Sequence, residues 1–210
     1  MFKLLKRVRE KYQHGLLLHA ILRKLAQLGL RISPFYLVQE GVDEIKKPEI
    51  NGNPEEYAFD FSDITDFEGW EELIEEMKAK KEIFLKRLEE GKKCIRVKHK
   101  NKIVAYTWYD LEECRFTKPL FKLSKEEAYL FDMYTLNSYR GRNIAPCLRY
   151  QSYEILNSMG RTTLFSISEL LNVSAVKFKR KLNARFLSLY LNIGLFKKKS
   201  WNLKIKEYRI

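Results

Sequence analysis

Residues Asp132–Leu148 read DMYTLNSYRGRNIAPCL, an apolar run that enters a short basic turn and passes at once into helical periodicity. Tyr129–Leu136 (YLFDMYTL) has the composition of a buried strand. Apolar residues then recur at Ile144, Leu148, Ile155 and Met159, and Gly160 is placed to end the helix. The turn Tyr139-Arg140-Gly141-Arg142-Asn143-Ile144-Ala145 gathers unpaired backbone N–H groups, the positive end of a helix and two arginines at one spot. That combination is an anion site and suits a pyrophosphate. Gly141 lets the backbone approach an anion closely, and small Ala145 keeps the first helical turn open. The spacing matches neither GxxxxGK[ST] nor GxGxxG, which removes the P-loop and dinucleotide readings.

Outward from this stretch, the period alternates between strand and helix. On the N-terminal side, residues 2–29 predict helix, basic on much of its surface. Phe35–Gln39 predicts a short strand, and residues 40–62 a polar loop. Thr65-x-x-Glu68 predicts a capping box opening a helix that ends near Gly91. Cys94–Lys98 and Ile103–Trp108 flank a polar turn and predict a hairpin. On the C-terminal side come a strand at Thr162–Ser168, a helix at Val173–Leu182, and strands at Phe186–Phe196 and Trp201–Tyr208. Such an order predicts a mixed α/β sheet layered by helices.

Composition sets the outer bounds. The chain has 210 residues, 45% hydrophobic and 32% charged, as a folded domain requires. Three cysteines (Cys94, Cys114, Cys147) without CxxC spacing exclude a disulfide scaffold or zinc ribbon and point to a reducing cytoplasm. His14, His19 and His99 stand apart from other ligand types, so no metal is expected. Of the formal charge of +13, residues 1–34 hold eight bases and one acid, residues 40–90 seven bases and 17 acids, and residues 91–210 25 bases and nine acids. The basic flanks favour a polyanionic or phosphate-bearing partner.

The segment 132–148 resembles the acyl-CoA-binding motif of the GCN5-related N-acetyltransferases (GNAT), a strand leading to Arg/Gln-x-x-Gly-x-Gly/Ala. Arg140, Asn143 and Ala145 hold the three defining positions, with Asn143 in place of the usual glycine. Asn is the non-glycine residue most tolerant of left-handed backbone. Ser168-x-x-x-Asn172-x-x-Ala175 and the run after it are similar to a second family segment. The resemblance covers residues 35–210 and leaves 1–34 as a basic helical extension. It implies a mainly antiparallel sheet with helices on both faces.

The resemblance also implies a site. The strand carrying Tyr134 and Thr135 would splay from its neighbour near Thr162–Ser168 and admit the pantetheine arm. A backbone N–H near Thr135–Leu136 would polarise the thioester carbonyl. Gly141, Arg142, Asn143, Ile144, Ala145 and Pro146 would hold the pyrophosphate with Arg140, and Asn172 would line the arm. The reaction would be direct attack of a primary amine on acetyl-CoA or another acyl-CoA as cosubstrate. The family often places a Tyr acid seven residues after the Asn, and this chain has Lys179 there. Lys179 would donate a proton if burial lowered its pKa; otherwise it is a solvated residue or a phosphate contact. Asp132, Glu127 and Glu169 are the candidate bases. The acidic segment 66–90 would border the acceptor and favour a basic amine, on a small molecule or sugar. Longer acyl chains used near a membrane, with residues 1–34 on an anionic surface, are one alternative. A non-catalytic CoA- or nucleic-acid-binding module is another.

Overall fold

The computed structural model describes residues 16–41, 45–61, 68–78, 81–196 and 198–208. The expected capping-box residue Thr65 and the first half of the N-terminal helix lie outside them. Helix α1 (Leu16–Gln27) leads through Gly29 into β1 (Leu30–Glu40). After a loop and a 3-10 turn come β2 (Tyr57–Asp60), α2 (Glu71–Met77) and α3 (Lys81–Glu89). Then follow β3 (Lys93–His99), β4 (Lys102–Asp110), the small hairpin β5 (Glu113–Phe116) and β6 (Lys118–Lys122), and β7 (Glu127–Thr135). The chain continues through α4 (Ile144–Ser158), β8 (Thr163–Glu169), α5 (Val173–Lys181), β9 (Arg185–Leu195) and β10 (Lys199–Glu207).

Eight strands form one sheet in the order β10-β9-β1-β8-β7-β4-β3-β2. Every pairing in it is antiparallel except β7 with β8. The sheet begins at Leu30 rather than at Phe35, so five residues of the expected extension belong to it. Pro34 is tolerated in this central strand because β8 has already ended beside it. Pairing of β1 to β8 starts at Phe35↔Glu169, while Pro34 pairs only with Leu191 of β9. The side that lacks a donor faces the chain just past the end of β8, where Pro34 O still accepts from Leu170 N–H.

Helices cover both faces. Phe84 of α3 packs its ring on Tyr106 and Trp108 of β4, with Trp70 beside them. The β5–β6 hairpin caps the same face further along, through Phe116 on Phe35 and Phe121 on Phe165. On the opposite face, α4 buries Ile144, Leu148 and Leu156, and α5 sets Lys179 over β8. The single helix expected from Thr65 to Gly91 is two, because Lys78 takes left-handed backbone (φ 50°) and caps the first. Strand β2 falls in the stretch read as loop, and the β5–β6 hairpin in one for which no element is expected.

Candidate functional site

Two features open the sheet between β7 and β8. Their parallel pairing covers only Glu127↔Thr163 to Leu130↔Ser166 and then stops. Beyond it, Asp132 takes φ 45°, and Asp132 with Met133 stands opposite the single residue Thr107 of β4. This is a β-bulge, which bends β7 away from its neighbour. The result is a cleft of about 780 Å³ lined by both strands and by α4 and α5.

The open end of the cleft meets the start of α4. Asn143 stands at φ 62° and ψ 18°, the left-handed conformation expected of the residue in the glycine position. Its side-chain amide donates to Glu49 O at 2.7 Å. The loop before β2 braces the turn further, since Asn51 N–H donates to Arg142 O and its side chain to Gly141 O. Gly141 has φ 80° with open space where a Cβ would stand. Arg140 lies over the Tyr134 ring at 5.4 Å and donates from Nε to Thr135 O, which holds its guanidinium at the cleft. A helix of 15 residues thus points its N-terminal N–H groups and one arginine at one opening.

The inner end is charged and buried. Glu40, the last residue of β1, has a side chain with no exposure. Its carboxylate meets Lys179 Nζ at 3.2 Å and Arg149 Nε at 3.5 Å, and accepts from Tyr153 Oη–H at 2.5 Å. Burial acts to raise the Glu40 pKa, but Arg149, Lys179, Ser166 and Tyr153 outweigh it and hold the carboxyl at about 2. Lys179 also donates to Ser166 Oγ and to Ile167 O, at the point where the strands part. Burial and the Arg149 charge bring its pKa down to about 8, with Glu40 opposing. Three buried polar atoms along this wall have neither a hydrogen-bond nor an ion-pair partner: Thr135 Oγ1, Ser168 Oγ and Arg149 Nη1. All three residues line the cleft. Buried polar groups are normally satisfied, so three orphans on one wall fit a ligand that brings its own donors and acceptors.

No protein-family model matches the chain, and no curated protein sequence matches it. Solved structures do match. A GNAT-family acetyltransferase from Colwellia psychrerythraea is similar at 16% identity over 88% of this chain, with a TM-score of 0.54. A GCN5-related N-acetyltransferase from Sphaerobacter thermophilus is similar at 14% over 85%, with a TM-score of 0.50. The glucosamine N-acetyltransferase region of a fungal multi-domain β-N-acetylglucosaminidase is similar at 12% over 84%, with a TM-score of 0.56. The chain has the GNAT fold. It spans 61%, 56% and 22% of the length of those three chains.

Within this GNAT fold, the structure gathers most of the residues singled out from sequence. Asp132, Tyr134, Thr135, Arg140, Ala145, Asn172 and Lys179 line the cleft, as does Glu169. Asn143 and Pro146 line a neighbouring recess with Lys46, Lys47 and Lys181. Ile144 and Leu136 are core residues, 1% and 0% exposed, whose side chains pack away from the cleft. Arg142 turns away to Tyr57 Oη, Ser138 O and the Tyr139 ring. Glu127 is not brought to the site. It opens β7 where the strands are still paired, about 16 Å of strand from Asp132, and its carboxylate accepts from Ser124 N–H. Asp132 is tied to Arg87 at 2.5 Å, and Tyr106 Oη–H donates to it at 3.4 Å. Leu136 N–H donates to Val104 O and is unavailable for a ligand. By strand alternation, the neighbouring Thr135 N–H is the one that faces the cleft. Asn172 caps α5 through Oδ1, which accepts from Ala175 N–H. Glu40 and Arg149 were missed from sequence.

Cys94, Cys114 and Cys147 are buried and unpaired, and burial raises each thiol's pKa. His99 bridges Glu56 and Tyr139 in a structural contact. Among the described residues no helix is long and apolar enough to cross a membrane.

Proposed function

We propose that this protein is an acyl-CoA-dependent N-acyltransferase that transfers acetyl to a primary amine by direct attack. The observation that carries the reading is the cleft itself: a strand gap that leads from a helix N-terminus with Arg140 to a buried cation, walled by three unsatisfied polar atoms. Acyl-CoA would supply the activated thioester, a diphosphate and an amide-bearing arm. The α4 N-terminus and Arg140 bind the diphosphate end. Thr135 Oγ1 and Ser168 Oγ meet the polar groups of the arm. The Thr135 N–H supports the developing negative charge on the carbonyl oxygen. Lys179, buried and held in its ionised form by Glu40, donates a proton to the departing sulfur.

The acceptor approaches from the other face. A recess of about 350 Å³ between α3 and the β5–β6 hairpin shares Phe116, Tyr129 and Phe131 with the cleft. Its rim carries four cations, Lys86, Arg87, Lys92 and Arg115, beside Glu90 and Asp110. Exposed acids of α2 flank this side, and Glu76 accepts from Tyr134 Oη–H at 2.6 Å. The acids of α2, rather than the cationic rim of the recess, are what suit a basic amine. Thiol release from acetyl-CoA, measured across a panel of amines, tests the reading. Release that depends on an amine and collapses in Lys179→Met supports it. Indifference to every amine, with acyl-CoA bound, removes the transferase claim.

A further inference from the structure

The inner end of the cleft holds more positive charge than its own residues neutralise. Glu40 brings one carboxylate, while Arg149 and Lys179 bring two cations, and none of the three side chains is more than 5% exposed. Tyr153 and Ser166 complete the cluster without adding charge. The other acids along the cleft are engaged or remote: Asp132 pairs with Arg87 at the bulge, and Glu169 is exposed at the open end. Tyr153, Tyr129 and Cys114, the further titratable groups against the cluster, are pushed up by burial and stay protonated. An uncompensated buried charge is costly. Yet Nη1 of Arg149 sits there with no acceptor, in a residue that lines the cleft.

We propose that this end of the cleft receives the sulfur anion of the leaving thiol, with Arg149 as the residue that stabilises it beside the proton donor Lys179. The inference rests on the acyl-CoA reading and deepens it. In the transfer, the amine lone pair forms the C–N bond, and the C–S bonding pair leaves on sulfur. Sulfur then takes a proton from the Lys179 ammonium, and the nitrogen loses its extra proton to water. The cluster begins with a surplus positive charge and ends with Glu40 and Arg149 balanced beside a neutral Lys179. Arg149 keeps its charge throughout and compensates the anion at the moment when it is largest.

The thiol of bound CoA reports this without turnover. Its thiolate absorbance is followed against pH in the complex, with the desulfo-CoA complex as blank. Expected is a midpoint at least about one unit below that of free CoA, a roughly tenfold preference for the thiolate. More than half of the shift should vanish in Arg149→Met and return in Arg149→Lys, with CoA bound in each. The wild-type titration stands even if a variant fails to fold. CoA bound with an unshifted thiol overturns this inference and leaves the cleft reading intact; a folded protein that binds no CoA overturns both.

Discussion

Replacing Glu40 by Gln tests the buried cluster independently of any ligand. The substitution keeps the shape and an acceptor for Tyr153 but removes the charge that Lys179 and Arg149 meet at 3.2 and 3.5 Å. Both cations are buried, so they are left facing each other in a medium that screens poorly. Breaking a buried pair in this way costs about 3–5 kcal/mol. Denaturant unfolding at neutral pH should show a loss in that range. Adding Lys179→Met to Glu40→Gln removes one of the stranded cations and should recover more than half of it, a non-additivity expected of groups in direct contact. The pH dependence follows from the signs. Glu40 has its folded pKa lowered to about 2, so its contribution is present above its ordinary value of 4.5 and fades as pH falls towards 2. Lys179 has its folded pKa lowered to about 8. It therefore costs stability below that pH, and the cost is relieved as pH rises from 8 to its ordinary 10.5. Without Glu40 that relief should begin at lower pH. A loss below about 1 kcal/mol, with the two substitutions simply additive, would refute a coupled buried cluster.

Other predictions follow from the turn and the cleft. Asn143→Gly should be within about 1 kcal/mol of wild type, since it trades the hydrogen bond to Glu49 for relaxed backbone; Asn143→Val, forced to φ 62°, should lose about 2 kcal/mol or more in thermal unfolding. Arg140→Ala should weaken CoA binding about tenfold or more, the worth of a charge-assisted hydrogen bond, with the unfolding curve little changed. The rate of transfer should fall above pH about 8 as Lys179 loses its proton. Lys179→Met should flatten that limb and lower kcat by about 10²–10⁴-fold, as measured by thiol release over a pH series.

The fold was legible where period and punctuation agree. The run from β7 through the turn into α4 shows strand composition, a glycine, an asparagine and then helical spacing within a few residues, and each falls where expected. Strand β2 is only four residues long, and β6 carries Pro119, so neither offered a clear period. The seat of β1 between β8 and β9 has no local signature, because sheet order follows from packing between distant segments. The missed site residues share one cause. Arg149 lies inside the wide buried stripe of α4 between Leu148 and Ser152, where helical spacing alone reads it as a flank. Glu40 follows the expected strand Phe35–Gln39 and reads as the first residue of the polar loop, yet β1 keeps unbroken register with β8 through Glu40↔Leu164, which sets it on the same face as buried Val38. Each looks ordinary alone, and only the approach of β1, α4 and α5 makes them a site. Lys179 was singled out because the resembling segment marks its position, and it lines the cleft.

Isothermal calorimetry of the protein with acetyl-CoA and CoA tests the central claim most directly. One saturable site is expected, weakened by Arg140→Ala and abolished by Ser168→Trp, which fills the gap between β7 and β8. A folded protein that takes up neither compound, or one that binds them equally well with the gap filled, would contradict the assignment of this cleft to acyl-CoA.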